Sequence, residues 1–134
     1  MADNAVETIY RMYDTWNADG VEAFRSHCTP DVIWHDDPQL PDAARCDGVE
    51  AVVARFQDYI DAVGHFRIEV REVGGLDDGR HYSVVSVTVR GEGSGAVVTS
   101  DHLHVLRVAD DRVAELWQHL DADQARAELG IRPG

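Results

Sequence analysis

The sequence predicts an α+β domain in which three N-terminal helices pack on a curved, mainly antiparallel sheet, with a short helix at the C-terminus. Two observations carry this prediction. Apolar residues recur at helical spacing in the first half of the chain, and they alternate at strand spacing in most of the second half. The 134 residues suffice for one hydrophobic core, and neither a repeat nor a linker divides them. We therefore expect a single domain over residues 1–134.

Three amphipathic segments predict helices over about residues 4–17, 21–28 and 48–63. In each of them apolar side chains recur every three or four positions, which places them on one face of a helix. Asp19-Gly20 ends the first helix and Gly64 ends the third. We expect these apolar faces to pack against a sheet formed by the rest of the chain.

Strand signals dominate the remaining sequence. A short strand is predicted at residues 31–36, followed by a proline-rich loop at 37–48. Four long antiparallel strands are expected after the third helix, because apolar and polar side chains alternate there. The last two run from about Ala96 to Val108 and from Arg112 to Leu120, and a closing helix covers residues 122–129.

Charge and composition exclude several classes of partner. The chain has 12 Lys and Arg residues against 25 Asp and Glu residues, for a formal charge of −13. Nucleic acids and anionic membranes require clustered cations, so we expect neither as a partner. There is no cationic leader and no apolar stretch long enough to span a bilayer, so a cytoplasmic location is expected. Cys28 and Cys46 are isolated and are expected to be free thiols.

Histidines concentrate on the last two predicted strands. His102 and His104 are two positions apart and share one face, as do His119 and Asp121 on the next strand. If the two faces coincide, imidazoles and a carboxylate meet on one surface, which is how a site for proton transfer is built. We therefore expect His104, His119 and Asp121 to project into one cavity as catalytic residues, with His102 lining it.

Asp121 also fits a structural role. The sequence Asp121-Ala-Asp-Gln124 matches a capping box, in which Asp121 caps the last helix and Gln124 reaches back to it. The two roles predict different results for Asp121→Asn. An amide still caps a helix but cannot transfer a proton, so this variant loses turnover only if Asp121 is the acid–base group.

Several runs of sequence resemble a known family. They are Tyr13-x-x-Trp16-Asn17-Ala-Asp-Gly-Val-Glu-Ala-Phe24, Pro30-Asp31-Val-Ile-Trp34-His35-Asp36, the helix start Gly48-Val-Glu-Ala-Val, and Trp117-x-x-Leu-Asp121. Through them the chain resembles the SnoaL-like polyketide cyclases of the nuclear-transport-factor-2-like superfamily, which includes ketosteroid isomerases and limonene-epoxide hydrolases. The resemblance implies a cone-shaped α+β barrel whose helices and sheet enclose one deep pocket, often in a homodimer.

The resemblance assigns roles to residues near the C-terminus. The terminal strand of these cyclases and epoxide hydrolases supplies an acid–base carboxylate, which corresponds to Asp121. His104 corresponds to a pocket-facing position beside that acid. Epoxide hydrolases carry their catalytic aspartate where this chain has His119. Because a histidine does not replace a carboxylate at neutral pH, this departure argues against epoxide hydrolysis.

A second acidic candidate lies just before Pro38. Ketosteroid isomerases place their general base before a proline, and Asp36 or Asp37 fits that position, depending on the direction of counting. We assign Asp36 as the candidate. Those isomerases also need a tyrosine on the first helix at the position of Met12, with Tyr13 next to it here, so steroid isomerisation is not expected.

Aromatic residues are expected to form the wall of the pocket around a flat apolar ligand: Tyr13, Trp16, Trp34, Phe56 and Tyr59. Core packing is the competing explanation, above all for Phe56. The pair of histidines at 102 and 104 suits metal binding, but the following Glu and the all-β pattern of cupins are both missing, so no metal is expected. The chain has no phosphate-binding or dinucleotide-binding glycine loop, so no cofactor is expected.

The sequence thus favours a small-molecule enzyme that needs no cofactor and works by general acid–base catalysis. It would cyclise, isomerise or dehydrate a small apolar or aromatic carbonyl compound of polyketide type. The alternative is a non-catalytic member of the same fold that binds a small ligand or serves as a scaffold. Because residues 83–89 carry apolar side chains on both faces, a partner subunit is expected to cover the outer one, in a homodimer burying about 1,200–2,000 Å².

Overall fold

The computed structural model describes residues 3–91 and 95–132, and it confirms the predicted α+β class. The three N-terminal helices, the four long strands and the closing helix all lie where the sequence predicts them. The helices are α1 (Asp3–Asp19), α2 (Glu22–His27), α3 (Val49–Val63) and α4 (Ala122–Leu129). The strands are β1 (Cys28–His35), β2 (Arg45–Asp47), β3 (Phe66–Gly75), β4 (His81–Arg90), β5 (Val97–Ala109) and β6 (Arg112–His119).

The strands form one curved sheet in the order β2-β1-β6-β5-β4-β3. All neighbouring pairs are antiparallel except β1 and β6, which run parallel. The segment predicted as a loop contains β2, whose Arg45 and Cys46 pair with His35 and Trp34 of β1. A strand of three residues has too short a pattern to be recognised by alternation, which explains why the sequence did not predict it.

The concave face of the sheet and helices α1, α2 and α3 enclose the main hydrophobic core. Its centre is aromatic: the rings of Trp16, Phe24, Trp34 and Phe56 contact one another with centroids 4.6–6.2 Å apart. Helix α1 is also fixed to the edge strand β3 by hydrogen bonds. Asn17 donates to Ile68 O at 2.7 Å and accepts from Ile68 N at 2.8 Å, so its amide satisfies backbone groups that the sheet edge leaves unpaired.

Helix α4 packs on the opposite, convex face of the sheet. Its Ala122 and Ala125 form a second buried cluster with Val84, Leu103 and Val105. The valines that the sequence places on both faces of β4 are therefore covered within the chain at this point. We expected a partner subunit to cover this face, and here α4 covers it. A strand with two apolar faces can be buried by any apolar neighbour, whether a second copy or a helix of the same chain.

Bulges interrupt the regular pairing of the sheet. One lies in β3 between Val70 and Glu72. Another lies between β5 and β6, where Arg107 pairs with Glu115 and Val108 pairs with Val113, so that Ala114 is the extra residue. Each bulge bends the strand that carries it and shifts the pairing beyond it by one residue.

Both cysteines are free, and Cys28 is buried. Burial raises the pKa of the Cys28 thiol to about 12, so it behaves as a small apolar side chain. No helix in the described ranges is long and apolar enough to cross a membrane.

Candidate functional site

A cavity of about 570 Å³ opens between the concave face of the sheet and helices α1 and α3. Most of its wall is apolar, and none of the described residues that line it is acidic. Polar groups gather at one end of it: Tyr13, His102, His104 and Gln118. At the other end, the exposed side chains of Val63 and Val98 form its mouth.

The predicted aromatic wall is found at this cavity. Tyr13, Trp16, Trp34, Phe56 and Tyr59 all line it, and Phe56 also packs in the core, as its helical spacing suggested. The cavity is therefore shaped by the same rings that stabilise the fold. Flat apolar ligands suit such a wall, because aromatic faces contact them over a large area.

The register of β5 and β6 decides which histidines reach the cavity. His104 lies opposite Gln118, and Leu103 lies opposite His119. Residues directly opposite each other share a face, so His104 and Gln118 face the cavity, while His119 lies on the convex side. The prediction that the two histidine faces coincide is wrong by one residue, and the cause is the bulge at Ala114. Without it, His104 would lie opposite Trp117 and would share a face with His119.

A chain of hydrogen bonds fixes His104 at the polar end. The Tyr13 hydroxyl lies 2.7 Å from His104 Nδ1 and 2.7 Å from Ser83 Oγ. All three side chains are buried, and the rings of Tyr13 and His104 stack with centroids 5.9 Å apart. Nδ1 is thus occupied by Tyr13, and Nε2 is the ring nitrogen left for the cavity that the ring lines.

The hydrogen-bonded side chains of Ser83, Tyr13 and His104 are all uncharged near neutral pH. Burial, together with the nearby imidazoles of His102 and His119, lowers the pKa of His104 to about 3. Burial raises the pKa of Tyr13, and the hydrogen bond with Ser83 opposes this only in part. Both shifts favour the uncharged form, so the polar end of the cavity acts through neutral hydrogen bonds.

His102 is the more accessible imidazole of the cavity. Its ring centroid lies 6.5 Å from that of His104, and its Nε2 lies 3.0 Å from Ser100 Oγ. Burial lowers its pKa, while the carboxylates of Asp101 and Asp37 oppose the shift. His102 is therefore neutral at pH 7 and can accept a proton, with two carboxylates near enough to stabilise the cation that forms.

Gln118 completes the polar end. Its Oε1 accepts a hydrogen bond from the backbone N–H of Asp37 at 3.3 Å, so its amide nitrogen is left as a donor toward the cavity. Sequence reasoning missed both Gln118 and Ser83. The available signal was parity: Gln118 alternates with Leu116 and Leu120, so it is a polar side chain on an otherwise apolar face.

Asp36 and Asp37 are both buried, and neither lines the large cavity. Asp36 is bound to the guanidinium of Arg55, and it accepts from Trp34 Nε1 at 2.9 Å and from Ala44 N at 3.0 Å. We expected Asp36 to act in catalysis. Its oxygens instead hold the indole of Trp34 in the cavity wall and fix the following loop.

Asp37 has a similar structural role. Its Oδ2 accepts from Leu120 N at 2.7 Å and its Oδ1 accepts from Gln39 N at 2.8 Å. These bonds connect the end of β1 to the end of β6. Neither of the two aspartates before Pro38 thus matches the general base of the isomerases, because both carboxylates are occupied by donors of the chain.

Asp121 is exposed and caps α4, where its Oδ1 accepts from Gln124 N at 3.0 Å. The expected projection of Asp121 into the cavity is wrong, and the capping alternative describes its position. The Gln124 side chain does not reach back to it, but contacts Gln39 and Glu128. The motif is therefore an N-cap without the second half of a capping box.

His119 lines a second, shallower cavity of about 370 Å³ on the convex side, together with His35 and Trp117. His35 stacks on Trp117 with centroids 5.2 Å apart, and its Nε2 lies 2.6 Å from Glu115 Oε2. Of the predicted catalytic residues, only His104 reaches the large cavity, where it meets His102. Among residues 3–91 and 95–132, no group of three or more His, Cys, Asp or Glu side chains is arranged to hold a metal ion.

Solved structures similar to this chain share its whole fold. Bal32a, from a soil-derived mobile gene cassette, matches with a TM-score of 0.76 and 23% identity over 96% of this chain and 97% of its own. A SnoaL-like polyketide cyclase of Jannaschia sp. CCS1 matches with a TM-score of 0.73 and 19% identity over 98% and 94%. TerC, co-crystallized with polyporic acid, matches with a TM-score of 0.73 and 21% identity over 94% and 97%.

At these identities the likeness shows the fold alone. Among curated proteins, none matches the chain in sequence. The family model of the SnoaL-like domain matches residues 9–116, which include most of α1, the aromatic wall and both histidines of the large cavity. The chain therefore belongs to the SnoaL-like domain family.

Proposed function

We propose that the protein binds a small, largely apolar carbonyl compound in the large cavity and isomerises, cyclises or dehydrates it by general acid–base catalysis without a cofactor. The observation that carries this proposal is the polar end of the cavity, where His102, His104 and Gln118 meet in an otherwise apolar enclosure. A carbonyl compound of polyketide type has the matching distribution of a polar group on a flat apolar body. The SnoaL-like family, in which polyketide cyclases occur, agrees with this substrate class.

The proposed reaction begins with removal of a proton next to the carbonyl group. His102 is the base, because its imidazole is neutral at pH 7 and lies beside Asp101 and Asp37. His104 is much less basic, so it serves as a hydrogen-bond partner. The negative charge that develops on the carbonyl oxygen is stabilised by donors from Gln118 and His104 Nε2. Return of the proton from His102 to a different carbon gives an isomer.

Deuterium exchange tests this step without knowledge of the natural substrate. The probe is 2-tetralone, a flat bicyclic ketone with exchangeable protons beside its carbonyl group, followed by NMR in D₂O. We expect the protein to accelerate the exchange, and His102→Gln to reduce the accelerated rate by about 100-fold. His27→Gln, which removes a partly buried imidazole outside the cavity, is the control. Equal rates for the wild type and His102→Gln would remove His102 from the mechanism.

Ligand binding without catalysis is the second candidate function. It is favoured by the absence of any acidic side chain among the described residues that line the cavity, since carboxylates are common acid–base groups. In this case calorimetry shows that 2-tetralone binds, while its deuterium exchange is no faster than in D₂O without the protein. The same probe therefore separates the two functions.

The proposal includes a homodimer in the cytoplasm. Val97 and Val98 are 53% and 64% exposed at the start of β5, and a partner covering them would remove this apolar surface from water. We expect light scattering at micromolar concentration to give the mass of two chains, and cell fractionation to recover the protein with cytoplasmic enzymes. A monomeric mass would leave both valines exposed to water, with Val98 at the mouth of the cavity.

A further inference from the structure

Tyr13 connects two buried polar groups through a single hydroxyl. Its oxygen lies 2.7 Å from Ser83 Oγ and 2.7 Å from His104 Nδ1, and the three side chains are 2%, 0% and 4% exposed, in the order Tyr13, Ser83, His104. A tyrosine hydroxyl carries one hydrogen, so it donates to one neighbour and accepts from the other. The chain of hydrogen bonds therefore has a direction, and the positions of the heavy atoms allow both directions.

The two directions give His104 opposite properties toward the cavity. When Ser83 donates to Tyr13 and Tyr13 donates to Nδ1, the ring hydrogen is on Nε2, which is then a donor. When Nδ1 donates to Tyr13 and Tyr13 donates to Ser83, Nε2 is bare and is an acceptor. The net charge is the same in both states, because burial keeps the ring neutral. Water in the open cavity exchanges the ring hydrogen between them.

Each state leaves one hydrogen without an acceptor among the three side chains, and the more stable state is the one that leaves it facing the open cavity and not the buried interior. In the donor state this is the Nε2 hydrogen at the cavity, because the hydroxyl hydrogens of Ser83 and Tyr13 both find acceptors. In the acceptor state, the Ser83 hydrogen must turn elsewhere. The donor state is therefore the resting state, and a ligand that donates to Nε2 selects the other.

Gln118 has no such freedom. Its Oε1 is held by the N–H of Asp37, so it presents only its amide nitrogen, which donates. Gln118 and His104 are directly paired across β5 and β6, which places their Cβ atoms about 5 Å apart. Side chains of this length converge on one ligand oxygen at the polar end of the cavity.

We infer that this polar end recognises the same ligand oxygen in both its carbonyl and its hydroxyl form, and that the ligands are enolisable cyclic or aromatic ketones together with their enols. A carbonyl oxygen has two lone pairs, and it accepts from Gln118 and from His104 Nε2. An enol oxygen accepts from Gln118 and donates to the bare Nε2. Either form leaves no polar group of the pair unsatisfied. This inference rests on the proposed function, whose enol intermediate would stay bound.

A pair of probes of nearly equal shape tests the inference by calorimetry. 2-Tetralone can only accept through its oxygen, whereas 2-naphthol can also donate. We expect the wild type to bind both. Ser83→Ala removes the acceptor that Tyr13 needs in the acceptor state, so it should weaken 2-naphthol about tenfold and leave 2-tetralone within about twofold. Ser86→Ala is the matched control, because Ser86 is a buried serine of the same strand on the other face.

Tyr13→Phe is a second variant with the same expectation. It leaves Nδ1 without its partner, and a buried N–H without an acceptor is avoided, so the ring hydrogen stays on Nε2. Circular dichroism and thermal melting establish that each variant is folded before its affinities are compared. Equal weakening of both probes by Ser83→Ala and Tyr13→Phe would overturn the inference, as would failure of the folded wild type to bind 2-naphthol.

The ¹⁵N chemical shifts of His104 report the position of the ring hydrogen directly. We expect 2-tetralone to keep it on Nε2 and 2-naphthol to move it to Nδ1; the same tautomer with both probes would refute the two-way chain. These readouts do not depend on turnover. If the tautomer changes but 2-tetralone shows no accelerated exchange in D₂O, the catalytic proposal fails and the inference stands. If exchange is accelerated but His104 keeps the same tautomer with both probes, the inference fails and the catalytic proposal stands.

Discussion

The two faces of the sheet carry different chemistry, although the same strands supply both. On the convex face a carboxylate has two partners: Glu115 lies 2.6 Å from His35 and 3.4 Å from Arg107. On the concave face the polar groups are neutral, and hydroxyls connect them, as between Tyr13 and His104. Glu115 and its partners thus lie where water still reaches them, and no Asp, Glu, Lys or Arg side chain among the described residues lines the ligand cavity, where desolvation of an ion would oppose binding.

The largest expected effect comes from breaking this separation at Asp36, the carboxylate next to the cavity wall. Its side chain is 1% exposed and is bound to Arg55. Arg55→Met leaves this charge buried and unpaired, so we expect unfolding in urea to show a loss of about 3 kcal/mol. Arg25→Met breaks an exposed pair with Glu50 and should cost far less. Equal losses would show that the burial of Asp36 does not matter.

A pH titration sharpens the comparison on the concave face. The pKa of His104 is 6.5 when unfolded and about 3 when folded, so the unfolded state binds the proton first. His104 therefore destabilises the fold progressively as pH falls from 6.5 toward 3, by about 1.4 kcal/mol per pH unit. His104→Gln should flatten this part of the stability profile. His102→Gln should flatten it less, because His102 is only partly buried.

A smaller effect is expected at Asp121. Because its carboxylate caps α4 at the surface, Asp121→Ala should cost about 1 kcal/mol of stability and Asp121→Asn less. Both variants should keep the affinity for 2-tetralone and the exchange rate of the wild type. Loss of exchange in Asp121→Asn with unchanged binding would instead restore Asp121 as the acid–base group.

The smallest effect is expected on the convex face itself. Glu115→Gln weakens the contacts with His35 and Arg107, in which the side chains remain partly accessible to water. We expect thermal melts to show a loss below about 1 kcal/mol, which decreases further as salt is added. A loss as large as that of Arg55→Met would mean that the convex charges are as important to the fold as the buried one.

The sequence was sufficient for every element except β2 and for the alternation of side chains along the long strands, but not for the pairing between strands. Alternation placed His102 and His104 together correctly, because side-chain parity is a local property. Register depends instead on the turn at Asp110 and Asp111, both with left-handed φ (53° and 61°), and on the bulge at Ala114. No glycine marks either feature, so the pattern gave no sign that the faces of β5 and β6 are offset.

The bulge at Ala114 also has a consequence for how such proteins diverge. Deletion of this one codon would remove the extra residue and leave Arg107 opposite Glu115 and His104 opposite Gln118, so every side chain of the cavity would keep its face. One mutational event would then change the length of β6 without changing the side chains that a ligand meets. Descendants separated by that event would share the same chemistry, but an alignment that places the one-residue gap away from Ala114 would compare side chains that face opposite sides of the sheet.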